Sequence, residues 1–542
     1  MSSETSLLTF GIGPVHTFIA QARRIADVWA GSHLLSHLVR QAMSVIRHEP
    51  DERAQMIFPF IARGEPIPDG VPNRFVCRVP AGREEEIAIQ MKGRVEEVWS
   101  LIVREALAEL RKYDIEPAAD LWSDTGSSRQ TDRLLQISWS WVPESDSYAA
   151  AALEGAQRYA ATRLFREFPQ AAEHGEKCAI CGERTALPDG NRRRVETTWL
   201  NAEKKAEERK EGADRFLRFG QSRLCLVCAT KRFFTYVEER RRTRFVALDE
   251  FQPAEDEPYI AMVKLDGDRM GALLSLGPDR VVDGDLEIFH REVSKALTEF
   301  ARDLQSPDSP ELNLDALGGY QPVGRKRPQL LYAGGDDALF ACDPRDALPV
   351  AELLRRRYGE SFKKARACLL REEDQERLTM SGAIYFAHSG HPAGLLLHDL
   401  EKLLKEVAKG RGGRDALAIR LEKRGGAPVD VILSWKQPDK ATGLDWIDEM
   451  KKLVDLLRQG GLSSSQTFSL RLEERTLQEV FLQDKERWDA WLAERLTRNL
   501  NTATEAQALA ERLTPFFIHD RANALRVARF LGLEAERGGN RP

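Results

Sequence analysis

Residues 330–341 read LLYAGGDDALFA. Apolar residues flank Gly334-Gly335-Asp336-Asp337, so the stretch reads as a strand, a tight turn and a second strand, with two adjacent carboxylates where the chain reverses. Glycines at such a turn permit φ > 0 and remove the Cβ atoms that would hold a bulky anion away from the backbone. A second acidic stretch, LDGDRMG at 265–271, ends the apolar run that starts at 257. Working outward, the order is that strand, a helix over 286–304, a Pro/Gly loop over 306–328, the hairpin, a helix over 346–370, a strand over 378–388, a helix over 393–410 and the apolar DALAIRLEK at 415–423. This β-α-ββ-α-β order is that of a ferredoxin-like palm, an α+β fold. In such a sheet the first strand neighbours the central hairpin, so Asp266 is expected to face Asp336 and Asp337.

Three carboxylates gathered with no basic residue evident beside them repel unless a cation neutralises them, and hard oxygen ligands favour Mg²⁺ or Mn²⁺. Two such ions about 3.5–4 Å apart activate a ribose 3′-hydroxyl and stabilise a departing pyrophosphate, which makes nucleotidyl transfer the natural reaction. The plainer alternative is a type I′ turn with solvated acids; a second acidic strand end in the same domain argues against it. Gly334, Gly335 and Asp268 join the nucleotide-binding candidates. Lys409, in EVAKGRGGRDALAI (406–419), is placed to meet a β- or γ-phosphate, or is a helix C-terminal lysine favoured by the macrodipole. Ser381 and His388 flank the adjoining strand and are candidates to line the pocket. His398-Asp399 lacks the further His and Asp that an HD-type phosphohydrolase needs, lies on an amphipathic helix pattern, and reads as structural.

At 542 residues the chain exceeds one core and should hold about three to five domains. The expected divisions are 1–175, a first palm-like domain without catalytic acids; 176–245, a zinc-binding module; 246–428, the palm with the acids; and 429–542, a C-terminal helical domain. In the first, TSLLTFGI (5–12) reads as a strand, residues 15–46 as a helix broken near Gly31-Ser32, RFVCRVP (74–80) and LLQISWSWVP (134–143) as strands, and 83–110 and 148–168 as helices. The second rests on cysteine spacing: Cys178-x-x-Cys181 and Cys225-x-x-Cys228 match a tetrahedral structural Zn²⁺ site, with a redox pair the lesser alternative. Cys77, Cys342 and Cys368 read as small buried hydrophobes.

Apolar residues at 42% and charged residues at 30% fit a soluble globular protein, and no apolar run reaches the length of a membrane span. The N-terminus shows no secretory pattern, so a cytoplasmic protein with no membrane partner is expected. A net charge of −5 leaves nucleic-acid binding to local basic stretches, of which 191–194, 231–245 and 324–328 are the candidates.

Together, GIGPVHTFIAQARRIADVWAGSHLLS near the N-terminus, the paired CxxC, DGDRMG, YAGGDDALFA and SGAIYFAHSGHPAG with LEKLLKEVAKGRGGRDALAI resemble the large subunit of type III CRISPR effector complexes, most closely the III-B, Cmr-type version. The motifs follow the family's order from residue 8 to about 420. The resemblance implies two facing palms, a zinc module between them and a helical domain that meets other subunits. It implies partners (crRNA, target RNA and the other subunits) and an activity, conversion of ATP to cyclic oligoadenylates with Mg²⁺ or Mn²⁺ when target RNA pairs with the guide. Asp336 and Asp337 would then bind metal, with Asp266 as partner acid and Gly334 and Gly335 allowing close approach of nucleotide. Some relatives join ATP to S-adenosylmethionine instead. Many carry an N-terminal HD nuclease, for which the early first strand leaves no room, so none is expected here. A diguanylate cyclase and a catalytically inactive scaffold are the competing readings.

Overall fold

The computed structural model of the chain describes residues 4–117, 129–132, 134–145, 147–164, 173–188, 190–209, 223–234, 251, 258–306, 309–435, 443–463, 466, 467, 469, 470, 485–497, 502–518 and 522–534. Most of the basic stretch 231–245, the second half of the charged insert after Asn201 and the tail beyond 534 lie outside them.

Nine residues of nearly continuous apolar character, Tyr259–Gly267, form β5, the strand on which the larger sheet is built. That sheet also holds β6 (Gln305–Ser306), β7 (Ser309–Leu312), β8 (Gln329–Gly334), β9 (Asp337–Cys342), β10 (Met380–His388), β11 (Ala416–Leu421) and β12 (Val429–Ser434). Its order is β12-β11-β10-β5-β9-β8-β7-β6, and the inner four strands have the ferredoxin-like arrangement. Both faces are covered, which explains why its central strands read as runs rather than alternations. Ala261, Val263 and Leu265 pack with the helices Leu286–Leu304 and Pro344–Ser361. Ile260 and Met262 face the other way, toward Leu396, Leu400 and Leu403 of the helical stretch that follows β10. Asp266 continues this second face by strand alternation, and so does Asp337, which shares its parity with Leu339 and Ala341 of β9.

A smaller sheet repeats the pattern. Its strands are β1 (Thr5–Gly13), β2 (Gln55–Phe58), β3 (Arg74–Pro80) and β4 (Gln136–Pro143), in the order β2-β3-β1-β4. The helix Ile25–His48 separates β1 from β2, and Glu84–Arg111 separates β3 from β4. Sequence reading misses β2, a four-residue strand too short to show a period.

The break expected at Gly31-Ser32 falls instead before Ile25, where the Asp27 carboxylate accepts the amides of Arg23 and Arg24 at 3.0 and 3.1 Å and starts the helix. Gly31 lies inside the helix because its neighbours leave little space: a Cβ there would stand 3.1 Å from Lys231 Cδ and 3.3 Å from Ile19 Cα. The helical region expected from 429 opens with β12, whose Val429, Val431 and Leu433 are buried in the palm's core, so the sheet crosses that boundary. The expected 176–245 module likewise does not stand alone: Cys178, Cys225 and Cys228 share one apolar core with Phe10, Leu34 and Trp99 of the first sheet and its helices. Of the three scattered cysteines, Cys77 and Cys342 are buried and Cys368 is half-exposed.

Candidate functional site

Antiparallel pairing sets Asp266 of β5 directly opposite Asp337 of β9, and Gly334 opposite Asp337 closes β8 and β9 around a two-residue turn. Gly335 takes φ +67°, while Asp336 keeps negative φ, so the turn is not type I′, which needs positive φ at both positions. The amide of Gly267 donates to the Asp336 carbonyl at 3.1 Å, tying the turn to the end of β5. One oxygen from each of Asp266, Asp336 and Asp337 lies within 4.8 Å of the others. The three acids expected to converge do so.

They are not without basic company, which corrects the sequence expectation. The π-helical turn Leu403–Arg411 brings Lys409 over the strand end, where its ammonium pairs with Asp266 and donates to the Gly267 carbonyl at 2.8 Å. Lys264, one step along the same face, pairs with Glu401. Burial alone would raise the pKa of Asp266; the hydrogen bond with Asp337 and the Lys409 ammonium outweigh it and hold the group below the usual carboxylate range. Asp337 goes the other way: burial, and then its bond to Asp266, keep it well above that range. Asp336 is pushed up to about 6 by burial and by the charge of Asp266. The two facing carboxylates are thus pushed in opposite directions, as expected of like charges held this close.

Three observations show that the residues fit a divalent cation. The donors are all carboxylate oxygens, the hard ligands that Mg²⁺ and Mn²⁺ take. Asp337 Oδ1 is buried yet has no hydrogen-bond partner. Gly267 leaves the floor of the site open: an added Cβ would lie 2.7 Å from Asp336 Cβ and 2.8 Å from Asp336 Oδ2.

Other candidates fall elsewhere. Asp268, 1% exposed, accepts from Ser381 Oγ at 2.8 and 3.0 Å, from Thr379 Oγ1 at 2.8 Å and from the Asp415 amide at 3.0 Å. Asp268 and Ser381 thus engage each other inside the protein, locking β5 to β10 and to the start of β11, rather than facing a pocket. His388 pairs with Tyr259 at the far end of β10, seven strand residues from Ser381, so it cannot line the acidic site. His398 is exposed on the helix Ala393–Lys402 and joins no group of metal-ligating side chains among the described residues.

The four cysteines form the second cluster. Their sulfurs all lie within 4.8 Å of one another, and Cys181 Sγ stands 3.8 Å from Cys225 Sγ. Zn–S bonds of about 2.3 Å in a tetrahedron place sulfurs about 3.8 Å apart. The amides of Ile180 and Cys228 donate to Cys178 Sγ and Cys225 Sγ, each at 3.4 Å, as thiolates require. The set can hold a structural metal. Two neighbours of Cys228 fasten it to the segment after β1: Lys231 Nζ donates to the Phe18 carbonyl at 2.7 Å, and Arg232 pairs with Asp27 of the helix Ile25–His48 at 2.6 and 2.8 Å.

Comparison with known proteins meets this geometry at both ends. Residues 259–418, which carry both acidic stretches, match the family model described as Cas10/Cmr2, second palm domain, and residues 7–104 match that of CRISPR-associated protein Cmr2, N-terminal. These two stretches are of Cas10/Cmr2 type. A relative, the CRISPR system Cmr subunit Cmr2 of Pyrococcus furiosus, is 22% identical over 569 residues that cover 80% of this chain and 63% of that protein. The chain therefore spans under two thirds of its curated relative. Among solved structures, the type III-B Cmr-beta complex bound to cognate target RNA superposes with a TM-score of 0.60 at 14% identity, covering 92% of this chain and 79% of that one. The apo state of the same complex gives 0.56 at 14% identity, with 95% and 77% covered. These likenesses show the Cas10/Cmr2 fold. No helix among the described residues is long and apolar enough to cross a membrane.

Proposed function

We propose that this chain is the large subunit of a type III-B-like, RNA-guided CRISPR effector complex, and that on binding target RNA it converts ATP to cyclic oligoadenylates by metal-dependent nucleotidyl transfer. The observation that carries the reading is the convergence of Asp266, Asp336 and Asp337 at the end of a palm sheet, with one buried carboxylate oxygen left unpartnered. Mg²⁺ or Mn²⁺ at this site supplies activation of the attacking 3′-hydroxyl and neutralises charge on the departing pyrophosphate. The chain's own residues do the rest. Asp266, Asp336 and Asp337 hold the ions, and the Gly334-Gly335 backbone admits phosphate closely. Lys409, which pairs with Asp266, would be free to meet a phosphate oxygen once that carboxylate held an ion. Asp268 and Ser381 serve as the brace that keeps the end of β5 in register.

In the same reading the cysteine cluster holds a structural Zn²⁺, and crRNA, target RNA and the other subunits of the complex are the partners. Residues 1–175 and 246–428 act as a pair of palms, of which the second carries the three converging aspartates.

The test is incubation of the assembled complex with labelled ATP, Mn²⁺ or Mg²⁺ and matching target RNA, beside an Asp336→Ala/Asp337→Ala variant. Oligoadenylates that need target RNA and disappear in the variant support the synthase. No product from either, with S-adenosylmethionine also supplied, would leave the chain as a scaffold.

A further inference from the structure

Beneath the acidic turn, on the face of the sheet covered by the helices Leu286–Leu304 and Pro344–Ser361, lies a side chain with no visible reason for its polar atom. Tyr358, on the helix Pro344–Ser361, is fully buried in the palm's core. Its ring is held between Phe300, edge-on at 5.2 Å, and Phe362 at 4.5 Å. This clamp aims the hydroxyl at the end of β5, so that a Cβ built on Gly267 would lie 2.7 Å from Tyr358 Oη and 2.8 Å from Asp336 Oδ2. Nevertheless that hydroxyl has no hydrogen-bond partner. An unsatisfied buried hydroxyl destabilises the fold, and phenylalanine would fill the same space without that loss.

Resting on the metal-site reading above, we infer that Tyr358 is a positioning residue for Asp336: when a divalent cation occupies the acidic cluster, the Tyr358 hydroxyl donates a hydrogen bond to the Asp336 carboxylate and fixes which oxygen faces the ion. Gly267 belongs to the same device, because only a residue without Cβ lets hydroxyl and carboxylate meet over its α-carbon. Asp337 Oδ1, the other unpartnered atom at the cluster, takes its partner from the ion itself. Both orphaned atoms of the acidic end of the sheet thereby find partners in one event.

The test uses the full chain and Mn²⁺ as the probe, with binding measured calorimetrically and melting temperature measured without metal. Site binding is defined as the part lost in Asp337→Asn. Tyr358→Phe should melt at or above the wild-type temperature in the absence of metal and bind Mn²⁺ about tenfold more weakly, as expected for a lost hydrogen bond to a charged group. In an Asp336→Asn background the further change Tyr358→Phe should leave Mn²⁺ affinity within about twofold, because the two residues act as one unit. Equal Mn²⁺ affinity in wild type and Tyr358→Phe overturns the inference while leaving the metal site standing. A wild type with no Mn²⁺ binding sensitive to Asp337→Asn overturns the metal site, and this inference with it.

Discussion

A methyl group at Gly267 would need to displace Asp336, Tyr358 or both, and Asp336 cannot move far because its carbonyl accepts the Gly267 amide. Gly267→Ala is therefore expected to cut ATP turnover by about 100-fold, the scale of an ångström-sized misplacement, while the protein remains folded; turnover and circular dichroism together check this. Protonation gives a second expectation at this scale. Asp336, at about 6, and Asp337, which burial also raises, must lose protons before they can ligate a cation. Mn²⁺ affinity should rise as pH increases through about 6 and fall below it, which titration calorimetry at pH 5.5, 6.5 and 7.5 would read. The acids themselves were legible in the sequence, since adjacent aspartates after Gly-Gly and a strand ending in Asp-Gly-Asp point to one place. What the residues around them do was not. Lys409 sits 143 positions from Asp266 in sequence, and no spacing rule announces that their charges meet. Asp268 looks like the second acid of a pair, yet the bonds it accepts from Ser381 and Thr379 hold it inside the protein.

At the scale of elements, long apolar runs such as β5 and β10 and the amphipathic helix Leu286–Leu304 show their type in any window that covers them. The failures come from tertiary packing. Gly31 resembles a helix break because nothing local reveals Lys231 lying against it, and β12 hides at the start of a helical region. The contact that places the cysteine helix Leu226–Phe233 on the first sheet's helix is the pair Asp27–Arg232, with side chains 2% and 4% exposed. Asp27 is brought down to about 2: burial would raise it, but the charge and hydrogen bonds of Arg232 prevail. Because the folded value lies below the unfolded 3.8, this pair's contribution is fully present above about pH 4 and is lost as pH falls toward 2. Asp27→Asn should flatten that acid limb of the stability curve and, by stranding a buried guanidinium, destabilise the fold at neutral pH by about 3–5 kcal/mol; denaturant melts at pH 7 and pH 3 would show both.

Taken whole, the described structure has two sheets, the four strands of the smaller repeating the order of the inner four of the larger; the helix after β1 packs on the larger sheet, and the cysteine cluster sits inside the core of the first sheet. Metal removal there should be felt as loss of stability rather than loss of chemistry. A strong Zn²⁺ chelator is expected to lower the melting temperature by about 5 °C or more, and restoring Zn²⁺ should recover it; an unchanged melt would mean the four sulfurs hold nothing. A further consequence concerns synthesis. Ala22, Ile25 and Val28, near the start of the chain, are buried against Tyr385, Leu396 and Leu400, and the Ala22 carbonyl accepts the amide of Gly394 at 3.1 Å. These partners are about 370 residues apart, so at about 5–20 residues per second a ribosome makes the second some 20–70 s after the first. During that interval the nascent N-terminal sheet presents an apolar strip with nothing to cover it, which gives newly made chains a window for chaperone capture and makes any prematurely terminated product prone to self-association.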